Sequence, residues 1–259
     1  MKLTSKSLHA RLIRHLREWH RKFGIIAAFF IIFLSISGVA LNHTTTLSLA
    51  HQPISNAWLL DHYGINPPND VRFYQRGLLT VTNNYLWLDD KLLLESASHI
   101  IATTFIPSAQ NSSDQIILAV SNEQIYLFNQ QGDLIDQLGE ELGLPQNISA
   151  VSVNNTNIVV RTTTGYFQAN TEFFDWQKVN FAVEPNWIKP IKAQAKTITK
   201  AKLAYRSQFL TLERLILDAH SGRIFGLFGV LFMDAVAILL ILLSLSGVYI
   251  WIRYARAKR

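Results

Sequence analysis

Four ionisable side chains stand at the edges of, or inside, the two most apolar stretches of this 259-residue chain: His20, His43, His220 and Asp234. A neutral imidazole is the commonest protein metal ligand, and two of them on facing helices suit a six-coordinate haem iron. His20 and His43 lie 23 residues apart on one prospective helix, about 34 Å at 1.5 Å per residue, so they cannot share a metal. His43 and His220 can, because one closes the first apolar stretch where the other opens the second. Phe225, Phe228 and Phe232 would give the pair an aromatic, apolar surround. The simpler alternative for such edge histidines is a headgroup or helix-cap contact.

The positioning elements are two candidate membrane spans. Phe23 to Leu41 carries no charge, and Ile224 to Ile252 carries only Asp234, so each matches the roughly 20 residues that cross a hydrocarbon core of about 30 Å. The two segments share a design. His20, Gly24 and Ser35-x-Ser37-Gly38-Val39 in the first correspond to His220, Gly226 and Ser244-x-Ser246-Gly247-Val248 in the second. With the chain crossing in opposite directions, this reads as an inverted repeat whose small residues permit close helix approach. Gly38-Val39-Ala40 also has the small-x-small form of a signal-peptide cleavage site, but the apolar run exceeds the usual length and points to a retained anchor.

Asp234 is expensive inside an apolar span and calls for a partner or a cavity. One reading is a proton relay or a charge partner for a cofactor. The other is a structural hydrogen bond to Ser35, to Ser37, or to the same residue of a second copy.

Charge sets the orientation. Seven basic residues precede the first span against the single Glu18, and four follow the second with no acid, so both termini are expected to be cytoplasmic. Residues 44–219 hold 12 Lys or Arg and 16 Asp or Glu, a net of 12 − 16 = −4, so the overall charge of +6 belongs to the membrane flanks. The basic balance therefore points to a lipid bilayer and not to nucleic acid. With no cysteine, the chain has no disulfide framework, thiol nucleophile or cysteine-held cluster.

Between the spans the pattern is β. "GLLTVTNNYLWLDDKLLLES", "DQIILAVSNEQIYLFNQQGDLIDQLG" and "NTNIVVRTTTGYFQANTEFFDWQKV" each alternate strands with polar turns, at the roughly 40-residue rhythm of propeller blades. Three such units do not close an ordinary ring, which predicts an open or sandwiched antiparallel sheet. The acidic turns at Leu88 to Lys91 and Gly139 to Glu141 read as solvated hairpin ends. Asn111-Ser112-Ser113 and Asn154-Asn155-Thr156 read as turn chemistry. Residues 187–221 begin basic and end apolar, which fits a helix at the lipid headgroups or one packed on the sheet.

The expected order is a cytoplasmic basic segment (1–22), a transmembrane helix (23–43), a β-rich extracytoplasmic domain (44–186), the basic helix (187–221), a second transmembrane helix (222–252) and a basic tail (253–259). The fold class is thus a membrane protein in which two transmembrane α-helices flank a mainly antiparallel β domain.

The span edges carry more specific signals. Trp19-His20-x3-Gly24 enters the first helix and Ser37-Gly38-x3-Asn42-His43 leaves it; Asp218-x-His220-Ser221-Gly222-Arg223-x-Phe225-Gly226 enters the second, which closes on Ser246-Gly247-x3-Trp251. In these motifs the chain resembles the PepSY-associated transmembrane helix family. That resemblance implies a bacterial inner-membrane protein with a periplasmic central domain, related to proteins of ferric siderophore reduction, with b-type haem on His20, His43 and His220. The relatives in question have more spans and more histidines, and their outer helix-strand pattern is not evident here. Two helices enclose little of a macrocycle, so haem implies a homo-oligomer, a partner membrane protein or cover from the β domain.

Two functions follow. One is a haem-bearing electron carrier that acts on ferric chelates or a redox partner. The other is a non-catalytic anchor whose β domain binds a partner as an assembly or regulatory subunit would. Neither a G-x-G-x-x-G nor a phosphate loop is present, so a reductase of this kind takes its electrons from another donor.

Overall fold

The computed structural model describes residues 5–108, 115–154, 157–170 and 175–257, with side chains from Arg14 to Ala255 within those limits. Asn111-Ser112-Ser113, and Asn155-Thr156 of the second sequon-like turn, lie outside the described residues. The chain forms two compact units, 1–54 with 210–259, and 55–209.

In the first unit, α1 (Ser5–Asn42), α4 (Leu212–His220) and α5 (Gly226–Ala257) are the helices. α1 starts well before the span because no proline interrupts Ser5–Asn42, so the basic segment of residues 5–22 continues the same helix. α1 and α5 are antiparallel: His20 meets Ser246, Phe30 meets Phe232, and Ser37 meets His220. Their facing sides follow alternate steps of three and four. On α1 these are His20, Phe23, Ala27, Phe30, Leu34, Ser37 and Leu41; on α5 they are Gly229, Met233, Val236, Leu240, Leu243, Gly247 and Ile250, all half-buried or buried. Such spacing keeps one stripe turned toward a neighbour in left-handed helix packing. Most other span side chains are exposed and apolar, as expected of a bilayer surface.

The join between α4 and α5 is tight. Gly222 takes φ 78°, and its carbonyl sits so close to Gly229 that a side chain at position 229 would strike it. Glycine is required at both places, by backbone conformation in one and by backbone approach in the other.

The second unit holds three separate four-stranded antiparallel meanders: β1 to β4 (Val71–Tyr74, Leu79–Thr82, Tyr85–Leu88, Lys91–Glu95), β5 to β8 (Ile100–Pro107, Gln115–Ser121, Ile125–Phe128, Leu134–Leu138) and β9 to β12 (Ala150–Asn154, Asn157–Thr162, Gly165–Asn170, Gln177–Val179). This corrects the single open or sandwiched sheet expected above. Each meander has a first strand (VRFY, IIATTFIP, AVSVN) that the hairpin pattern alone did not reveal. One core unites them, from Tyr74 and Leu86 through Ile117 and Phe128 to Ile158 and Val160. The segment after β12 ties the third meander to the first: Ile188 donates its N–H to Val151 and Ile191 donates to Phe73.

Residues 187–221 do not form one helix. α3 (Ala195–Ser207) belongs to the second unit and packs on β1 and β2; Asn83 Nδ2 donates to Tyr205 Oη at 3.1 Å, and Lys200 reaches Asp90 at 2.7 Å. α4 belongs to the first unit. Thr211 starts it by accepting the Arg214 N–H at 3.3 Å, a hydroxyl cap on a donor with no helical partner. A six-residue helix, α2 (Ala57–His62), precedes β1; Asp61 on it pairs with Arg206 of α3.

Candidate membrane histidine sites

The two histidines that open the motifs occupy equivalent places. His20 Nδ1 lies 2.9 Å from Ser246 Oγ, and His220 Nδ1 lies 2.7 Å from Ser37 Oγ. Each serine belongs to the S-x-S-G-V of the opposite helix, and each is followed by a glycine against the imidazole. A Cβ on Gly247 would come within 3.2 Å of His20 Cε1, and one on Gly38 within 3.8 Å of His220 Cε1. The repeated motif is therefore a ring seat, used once in each direction.

The serines favour one tautomer. Ser37 Oγ donates to the Phe33 carbonyl at 2.7 Å, and Ser246 Oγ donates to the Leu243 carbonyl at 2.9 Å. With its one proton on the backbone, each hydroxyl can accept from the ring; in that arrangement Nδ1 carries the hydrogen and Nε2 keeps its lone pair. An imidazole held through Nδ1–H with Nε2 free is the form that ligates iron. Ser37 is 17 residues beyond His20, which separates the two seats by about 26 Å along α1, close to the thickness of the hydrocarbon.

His43 is placed differently. It follows the end of α1, exposed, six residues and about 9 Å of helix rise beyond the serine that holds His220. His220 directs Nδ1 inward to Ser37. Among the described residues, no group of three or more His, Asp, Glu or Cys side chains converges as a metal cluster would. Asp234 is exposed on α5 and bonds to neither proposed serine: Ser37 is committed to His220, and Ser35 faces outward.

Asp218 adds a feature the spacing did not single out. It lies two residues before His220, only 2% exposed. Arg214 Nε donates to Oδ2 at 2.8 Å, one turn back on α4, while Oδ1 is buried without a donor. Its place in Asp218-x-His220 was visible in the sequence; its burial was not, because α4 is short and its inward face depends on α1.

A family model for the PepSY-associated TM region matches residues 2–253, almost the whole chain including the β domain. The chain belongs to this family. Comparison with curated proteins gives no match. In this PepSY-associated protein α1 is thus held by two similar His–Ser contacts, one to α5 and one to the end of α4 just before it.

Proposed function

We propose that this protein is a haem-bearing electron carrier of the bacterial inner membrane, with its β domain periplasmic and both termini cytoplasmic. The observation that supports it most is the pair of imidazoles held through Nδ1 at two levels about 26 Å apart, which leaves Nε2 of each for a metal. The donor chemistry fits a b-type haem at each level, and bound haem supplies a one-electron couple whose potential follows its axial ligands and burial. His220 and His43 would hold the haem at their end, and at the His20 end a second chain would supply the further ligand. Ser37 and Ser246 orient the rings, and Gly38 and Gly247 leave room for them. Two sites spaced across the hydrocarbon would, with haem bound, supply one-electron chemistry on both sides of the bilayer, and ferric chelates are the acceptor class the family suggests.

The test is a reduced-minus-oxidised visible spectrum of the protein purified in mild detergent after expression with haem supplied. b-Type bands are expected. His43→Ala and His220→Ala remove one component and His20→Ala another. A wild-type protein without such bands leaves the anchor or assembly-subunit reading in its place.

A further inference from the structure

We propose that the face of α5 opposite α1 is a seam on which a second copy of this chain packs within the membrane, with Asp234 meeting its own counterpart across it.

The geometry of α5 carries the argument. One side of the helix, from Gly229 to Ile250, is spent on α1. Two positions round from that stripe, on the far side, run Leu231, Asp234, Ile238, Ile241, Leu245 and Val248, again in alternate steps of three and four and all exposed. That is the spacing of a helix seam, and α5 presents it while its other side stays on α1.

Lipid satisfies the five apolar members of the stripe equally well, so the pattern alone decides nothing. Asp234 decides it. It is exposed on the seam within the apolar span, it bonds to neither Ser35 nor Ser37, and no side-chain partner for it occurs among the described residues. A carboxyl turned into hydrocarbon without a partner is costly, and such residues face protein or a water-filled cavity. All copies insert with the same orientation, so two α5 helices meeting on this stripe are parallel, and each seam residue faces itself. Two Asp234 carboxyls then share a proton, one donating and one accepting, as closely placed acid pairs do. A single polar residue in an otherwise apolar seam also fixes register and oligomer state. This inference stands independently of haem.

The chain has no cysteine, so single replacements report on the seam without background. Leu231→Cys, Ile238→Cys and Leu245→Cys are compared with Ala235→Cys, Leu242→Cys and Tyr249→Cys, exposed positions roughly 75° round the helix from the centre line of the seam. Each is oxidised in intact membranes and the disulfide dimer is quantified. The seam positions are expected to give the dimer and the flank positions little. Adding Asp234→Leu, which only makes the span more apolar and preserves insertion, is expected to weaken association about tenfold, the value of one membrane hydrogen bond. Equal yields at seam and flank, no dimer at any seam position, an adduct with a different protein, or an undiminished yield in Asp234→Leu would each overturn the proposal.

Discussion

His20 and Ser246, 226 positions apart, are 2.9 Å from each other, and the same contact recurs in reverse between His220 and Ser37 at 2.7 Å. α1 thus supplies a ring to α5 at one end and a seat at the other to His220, the last residue of α4. The two ends are chemically alike although the loops around them differ. The His20–Ser246 contact fixes the axial register of α1 against α5 at one end, and the Ser37–His220 contact ties α1 to α4, where the chain enters α5, at the other; apolar side chains in lipid do this only weakly.

Removing a serine tests the seat without removing the ligand. Ser37→Ala and Ser246→Ala each lose one interhelical hydrogen bond, about 1 kcal/mol of helix association, and should lower thermal stability in detergent modestly. Each ring also loses the acceptor for its Nδ1–H and becomes a poorer electron donor through Nε2. If haem is bound as proposed, its midpoint potential at that end should rise by about 40 mV, the one-electron equivalent of about 1 kcal/mol, with the potential at the other end unchanged. A potentiometric titration of both variants reads this, and the two should differ in which component moves.

The two glycines predict an asymmetry. A methyl group on Gly247 would come within 3.2 Å of His20 Cε1, tighter than ordinary contact, whereas one on Gly38 would sit at 3.8 Å from His220. Gly247→Ala should therefore shift the His20 ring and broaden or weaken its spectral component. Gly38→Ala should leave the His220 component intact. Spectra of the two variants recorded side by side decide this, and Gly38→Ala being the more damaging of the two would contradict the seating described.

How much of this was legible in the sequence varies by element. The spans and the hairpins read directly, because an uncharged run and a two-residue alternation are local signals. The Ser–His pairing was half visible: the repeated S-x-S-G-V and the preceding histidines were plain, but which ring meets which serine depends on antiparallel register. For that reason the contact of Ser37 with His220 was not foreseen, although both residues stood in the quoted motifs. β1, β5 and β9 were missed because each pairs with a later strand across a turn or an irregular register. The break between α3 and α4 lacks glycine or proline; its one local mark is Thr211, whose capping role shows only once Arg214 N–H is seen to need an acceptor.

Asp218 and Arg214 predict a rescue. Arg214→Ala leaves a carboxylate that is 2% exposed without its cation, with Oδ1 already lacking a donor. Loss of about 2 kcal/mol is expected, below the full value for a buried pair because the Arg214 side chain is 60% exposed. Asp218→Asn in the Arg214→Ala background removes the uncompensated charge at nearly constant shape and should recover part of that stability. Thermal unfolding of the wild type, the two single variants and the double variant in detergent gives the coupling directly. Additive losses would mean that the carboxylate is compensated by something other than Arg214.

Tyr85 gives the β domain a signature in alkali. Its ring packs edge-on against Tyr205 and Phe209 of the α3 region, and its hydroxyl donates to Glu95 Oε1 at 2.6 Å. Burial, then the hydrogen bond to Glu95 and that carboxylate's charge, push its pKa up to about 12 from the usual 10.0. The folded form thus holds the phenol proton more tightly than the unfolded chain does. Its stabilising contribution is complete below pH 10.0 and is lost as pH rises toward about 12, because the unfolded state releases the proton first. Tyr85→Phe lacks the Glu95 bond and that titration, so it should be less stable than wild type at neutral pH, and the gap should close through this window. Denaturant unfolding of both proteins at a series of alkaline pH values measures the gap, and a difference constant from neutral pH to pH 12 would show that Tyr85 titrates alike in both states.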